Sequence, residues 1–174
     1  MGLHLIIDGY NLIRRSGQLS REEAQGLELG RQALIDRLAA YKRIKGHKIT
    51  VVFDAAENYD DFSKNTSEKG IGIKFSRSGQ SADSVIRKMA ANEGERALVV
   101  TADRALADAA SARGAATVDP EAFEERMQMA ALMEIKGEDP EEEQGGPVID
   151  TRKKGPAKKP PKSRRKKQRK VSKL

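Results

Sequence analysis

The chain has no cysteine and only two histidines, His4 and His47. The first absence excludes a disulfide framework and a thiolate metal site. The second leaves too few imidazoles for a zinc cluster. Any metal held here is held by oxygen, which favours magnesium or manganese over zinc. No stretch of about 18 apolar residues exists, so no membrane span is expected. The first residues lack the basic region and cleavage site of a secretory signal, and the expectation is a soluble, cytoplasmic protein. Aromatic residues are 4% of the chain, so Ala, Ile, Leu and Val must fill the core.

What is present is unevenly charged. The formal net charge is +7 over 174 residues. Residues 151–174 hold 13 Lys or Arg and no acid, leaving 20 bases against all 26 acids in residues 1–150. An acidic body therefore carries a strongly basic tail, an asymmetry that points to nucleic acid or an anionic surface. Domain boundaries follow the same shift. Residues 1–136 read as one domain, 137–150 as an acidic Gly/Pro linker, and 151–174 as a basic tail without apolar residues to repay the entropy of folding.

Within the body, strand-like runs alternate with helical patterns. The runs are "LHLII", "KITVVF" (48–53), "GIKFS" (72–76), "ALVVT" (97–101) and "AATVD" (115–119). Between the first two, Ser20 and Glu23 form a capping-box pattern. An apolar stripe at Leu27, Leu34, Ile35, Leu38 and Tyr41 fits one helical face, with Gly26 and Gly30 weakening its start. Two shorter helices end at glycine, and Pro120 opens a last one. Alternation at this spacing predicts an α/β fold with a mainly parallel sheet of about five strands and helices on both faces.

In such a sheet ligands sit at the carboxyl ends of the strands, so the residues that follow each strand matter most. The first strand ends in Asp8, with Asn11 close behind. The second ends in Asp54, the third leads through "SRSGQSAD" to Asp83, and the fourth ends in Thr101 and Asp103. Each aspartate alone fits a local role: Asp83 and Asp103 suit helix N-termini, and Asp54 suits a turn. Together they crowd one rim. Two carboxylates about 4 Å apart repel by about 4 kcal/mol at an effective dielectric of 20. Such a cluster must take up protons, take up a cation or spread apart, and an oxygen-liganded divalent cation is the simplest remedy. Gly9 permits a sharp turn or close approach to a ligand. Tyr10 suits packing or base stacking. Thr101 and Ser81 offer hydroxyls to water or phosphate, although Ser81 fits helix capping at least as well. Phosphodiester cleavage suits this donor set, because one or two magnesium ions activate water without histidine or cysteine.

"LIIDGYNLI", "HKITVVFDA", "FSRSGQSAD" and "LVVTAD", in this order, resemble the NYN domain family of PIN-like nucleases, and more narrowly its YacP-like branch. The resemblance covers about residues 1–135. It implies a PIN-like three-layer α/β/α sandwich and Mg2+- or Mn2+-dependent cleavage of RNA, messenger or ribosomal, on or near the ribosome. It implies a catalytic set of Asp8, Asn11, Asp54, Asp83 and Asp103, with Asp8, Asp83 and Asp103 as metal ligands. A non-catalytic RNA- or ribosome-binding protein with a vestigial acidic pocket is the alternative. A receiver domain fits poorly: it needs paired acids at the first strand and a lysine after the fifth, where this chain has Asp8-Gly9 and Asp119-Pro120. The tail's expected role rests on charge alone. Lys153, Lys154, Lys158, Lys159, Arg164, Arg165, Lys166, Lys167, Arg169 and Lys170 are its candidate RNA contacts.

Overall fold

The computed structural model describes residues 2–55, 65–136 and 162–174. Strand β1 (His4–Asp8) leads into α1 (Gly9–Arg15), α2 (Leu19–Gln25) and α3 (Leu27–Lys45). Then come β2 (Lys48–Phe53), β3 (Thr66–Glu68), β4 (Ile71–Phe75), α4 (Ala82–Glu93), β5 (Ala97–Val100), α5 (Arg104–Ala112), β6 (Ala116–Val118), α6 (Pro120–Lys136) and α7 (Lys162–Val171). The sheet has six strands in the order β3-β4-β2-β1-β5-β6. All pairings are parallel except the β3–β4 hairpin at one edge.

β1 lies near the centre, with His4 level with both Lys48 and Ala97. Its side chains alternate between two cores. Leu5 and Ile7 join the cluster under α1, α3 and α6, while Ile6 joins the one under α4 and α5. This two-sided burial explains why the strand reads as a continuous aliphatic run. The three-layer sandwich expected from the sequence is present.

Several local readings change. The sixth strand, β3, has the polar sequence Thr-Ser-Glu and no apolar alternation to announce it. Its turn is carried by Lys69 at φ 50° and Gly70 at φ 80°, the doubly left-handed geometry of a tight hairpin. The Ser20 capping box does not form. α2 begins at Leu19, whose N–H is taken by Ser16 Oγ at 3.2 Å. "DGYN" does not make a turn either: Gly9 opens α1. A Cβ there would lie 2.3 Å from the Phe53 ring, so glycine is required by close packing. Gly30 answers a similar need, because its Cβ would meet the Glu23 main chain at 2.9 Å. Small residues at both positions let α1 and α2 seat tightly.

The largest departure is in the tail. Residues 137–161 lie outside the described residues, as does the acidic linker predicted within them. Residues 162–171, expected to lack order, form α7, which packs on the β6 edge. The docking comes from the helix's end. Leu174 is 3% exposed and joins the core with Val171. The Tyr41 hydroxyl donates to the Leu174 main-chain oxygen at 2.9 Å, and Lys167 Nζ donates to the Ser111 carbonyl at 3.0 Å. Two apolar residues and side-chain hydrogen bonds from Tyr41 and Lys167, among others, thus anchor a segment whose composition alone argues for disorder.

Leu174→Ala should lower unfolding free energy by about 2 kcal/mol, the low end for a buried leucine, read from the urea midpoint. An unmoved midpoint would mean that residues 162–174 carry no tertiary structure.

Candidate active site at the carboxyl edge of the sheet

The parallel register brings the ends of β1, β2 and β5 to one edge, and the helices that follow them begin there. Asp8 closes β1 and stands just before α1. It is 9% exposed. Asp54 follows β2 and is exposed, Asp83 lies in the first turn of α4, and Asp103 precedes α5.

Two of these acids hold neighbouring backbone. Asp54 Oδ1 accepts the Ala82 N–H at 2.6 Å, tying the end of β2 to the start of α4. Asp103 Oδ1 accepts the Leu106 N–H at 2.8 Å and caps α5. Asn11 Oδ1 accepts the Ala102 N–H at 3.0 Å, fastening α1 to the β5–α5 connection. That commits its oxygen and leaves the amide NH2 for a ligand. Thr101 Oγ1 is buried and accepts the Asp103 N–H at 3.1 Å. Ser81 caps α4 through the Ser84 N–H at 3.3 Å.

The electrostatics single out Asp8. Its pKa is raised to about 6: burial is the largest cause, a hydrogen bond from the Asn11 backbone opposes it, and Asp83, Asp54 and Asp103 add to the rise. Asp83 is raised chiefly by burial and then by Asp103 and Asp54, with Arg87 opposing. The four carboxylates therefore feel one another across one rim. They are not a ready-made ligand shell: among the described residues no three His, Asp or Glu side chains are grouped closely enough to hold an ion. Magnesium does not need such a cage. It keeps several waters and binds through one or two carboxylates plus substrate phosphate. An all-oxygen donor set built around a buried carboxylate that its neighbours repel fits that mode.

A cavity of about 220 Å3 opens beside Asp8, lined also by Tyr10, Asn11, Arg14, Arg15 and Asp54. Tyr10 does pack, its ring edge-on to Phe53 at 5.1 Å. Its hydroxyl accepts from Arg31 at 2.9 Å, and Arg14 lies over its face at 5.3 Å. Arg14 and Arg15, both exposed, pair with Glu23 and Glu121 at 3.6 Å each. The sequence reading overlooked these two arginines. Their signal was position: with "DGYN" helical, they fall one turn after Asn11. Of the tail residues, Lys153, Lys154, Lys158 and Lys159 lie outside the described residues, as do the side chains of Arg164, Arg165 and Lys166. Lys167, Arg169 and Lys170 stand elsewhere than this rim.

A family model described as the YacP-like NYN domain matches residues 5–171. The chain belongs to the YacP-like NYN domain family. The match runs past the 1–135 core expected from motifs and takes in α7. An uncharacterized YacP protein from Bacillus subtilis (strain 168) is 33% identical over 86 residues, which is 49% of this chain and 50% of that relative. The alignment thus spans about half the relative's length. The crystal structure of Rae1 (YacP) from Bacillus subtilis is 25% identical with a TM-score of 0.66, covering 79% of each chain. A crystal structure of a mutant of that protein, also 25% identical, gives a TM-score of 0.65, covering 77% of this chain and 80% of that one. YacP-like NYN domains have a nuclease-like fold, and here its acidic edge carries Asp8, Asp54, Asp83 and Asp103.

Asp8 binds more protons folded than unfolded between about pH 4 and pH 6, so its ionisation costs stability as pH rises through that window. At pH 7, without divalent ions, Asp8→Asn should stabilise the fold by up to about 3 kcal/mol, a gain that vanishes near pH 4. Millimolar Mg2+ or Mn2+ should raise the wild-type Tm and not the variant's. Equal responses of the two proteins would remove Asp8 from any cation site.

Proposed function

We propose that this protein is a divalent-metal-dependent endoribonuclease. The observation that carries the reading is Asp8: a buried carboxylate with no ion-pair partner among the described residues, ringed by three others beside an arginine-walled cavity. A Mg2+ or Mn2+ ion bound there would neutralise phosphate charge and acidify the attacking water. The chain's own residues supply the rest. Asp8 and Asp83 are the proposed ligands, with Asp103 completing the acidic set or holding water. Asp54 and Asn11 fix the two connections that carry Asp83 and Asp103, so these are positioned by backbone hydrogen bonds rather than by a flexible loop. Arg15 can exchange Glu121 for a phosphate flanking the scissile one, because both side chains are exposed and such ion pairs are worth only about 0–1 kcal/mol, while Arg14, held by the largely buried Glu23, adds fixed positive charge to the cavity wall. A water oxygen forms a bond to phosphorus, one ester P–O bond breaks, and the departing alkoxide oxygen takes up the water's proton and leaves as a hydroxyl. Family membership supports nuclease chemistry, and the resemblance to the YacP-like branch supports RNA on or near the ribosome as substrate.

Purified protein should cut RNA, free or ribosome-bound, only with Mg2+ or Mn2+. Asp8→Asn should lower the rate by about 100-fold or more, the equivalent of roughly 3 kcal/mol of lost charge stabilisation. Binding without cleavage by the wild type on every RNA offered would instead identify a protein that holds RNA and does not cut it.

A further inference from the structure

A second cavity, of about 740 Å3, lies at the opposite edge of the sheet. Its position is fixed by register. Leu3 precedes β1, His47 precedes β2 and Arg96 precedes β5, and all three line it. Arg169, Lys170 and Lys173 close it from the end of α7. Glu95 is the single acid among the lining residues, and Arg96 is ion-paired with Glu93 at 3.1 Å, so Arg169, Lys170 and Lys173 carry the positive charge. His47 Nε2 contacts the Lys173 main-chain oxygen at 3.2 Å, which helps pin the end of α7 across the strand starts. Arg169 and Lys173 are exposed.

We infer that this groove is an RNA-docking site, separate from the acidic edge and gripping a different segment of the strand. Three observations meet here. First, the groove is cationic, while the body that carries it is net acidic. A polyanion approaching such a molecule is turned towards the positive pole and away from the aspartate rim. Second, the two poles are a strand apart. The five residues of β1, at about 3.3 Å each, separate them by roughly 17 Å, so one phosphate cannot occupy both. Third, the site is concave and walled by side chains from the strand starts and α7. A single strand can thread such a groove, whereas a flat anionic membrane would meet only its rim. α7 is therefore no free tether that delivers substrate to the acids. Its folded end holds one part of an RNA while another part reaches the carboxyl edge. The inference rests on RNA as the ligand of the proposed function, not on cleavage.

The test is equilibrium binding of a fluorescent 20-nucleotide RNA, in Asp8→Asn background to silence cutting, across a salt series. Arg169→Glu with Lys173→Glu should weaken binding at least tenfold at about 0.1 M salt and flatten the log–log salt slope by about 1.4, two phosphate contacts' worth for a single strand. Arg21→Glu with Lys88→Glu, the same change in net charge elsewhere, should leave the slope near its starting value. In cleavage-competent protein the groove variant should raise KM with kcat unchanged. An unchanged slope, an equal effect from the control pair, or loss of binding to phosphatidylserine vesicles but not to RNA would overturn the docking site. Wild type that binds RNA with the expected slope and never cuts would defeat the nuclease reading and leave the groove standing. Urea midpoints of all variants exclude unfolding as the cause.

Discussion

Burial of a carboxylate in the company of like charges at the carboxyl edge is the constraint around which this molecule is built. Asp8 is held nearly buried at the end of a central strand, with three more carboxylates within electrostatic reach. Some of that charge is offset by the fold itself. α1, α4 and α5 all begin at this edge, and a helix N-terminus stabilises a nearby negative charge by about 0.3–1 kcal/mol. The offset is incomplete. Asp8 is still raised to about 6, first by burial and then by its neighbouring carboxylates, a displacement worth roughly 3 kcal/mol. The rest of the domain sustains this cost through a sheet buried on both faces, where Leu5, Ile6, Ile7, Val99 and Val100 are fully enclosed.

The hydrogen bonds at this edge have a double character. Asp103 is a helix cap, the ordinary role of an aspartate before a helix, and Asp54 holds the α4 amide of Ala82. These roles do not compete with a cation-binding edge. A carboxylate has two oxygens, and fixing one on backbone sets where the other stands. Asn11 acts in the same way from a third element. The result is four acids from four segments whose positions depend on one another, without a closed cage among the described residues. An open arrangement suits an ion that must also meet a phosphate.

How far the sequence carried this picture depends on where the signal lay. The parallel sheet was legible because β1, β2 and β5 are aliphatic runs too short to be helices. The acids were legible because each directly follows such a run or opens the next helix. β3 was not legible, since an exposed edge strand of Thr-Ser-Glu needs no apolar pattern. α1 was missed because glycine directly after a strand reads as a turn. Only the Phe53 ring, far along the chain, shows that Gly9 answers a packing demand. That one error hid Arg14 and Arg15, which come to the cavity only if Asp8 is followed by helix. α7 was missed for the converse reason. Composition averages over a segment, but docking depends on Val171 and Leu174, two residues at its end.

Folding of the basic end changes how charge is used. A disordered cationic tail samples every direction and would shield the acidic rim as readily as it recruits RNA. Docked on β6 with its end across the strand starts, α7 holds Arg169, Lys170 and Lys173 at the edge opposite Asp8. Among the described residues Asp8 has no ion-pair partner, and Arg87 offsets only part of the rise at Asp83. The positive surface stays a strand's length away, where it can hold a polyanion without occupying the rim. Leu174 and Tyr41 thus bear on the charge distribution from the core: by docking the end of α7 they fix Arg169, Lys170 and Lys173 at the edge opposite the aspartates.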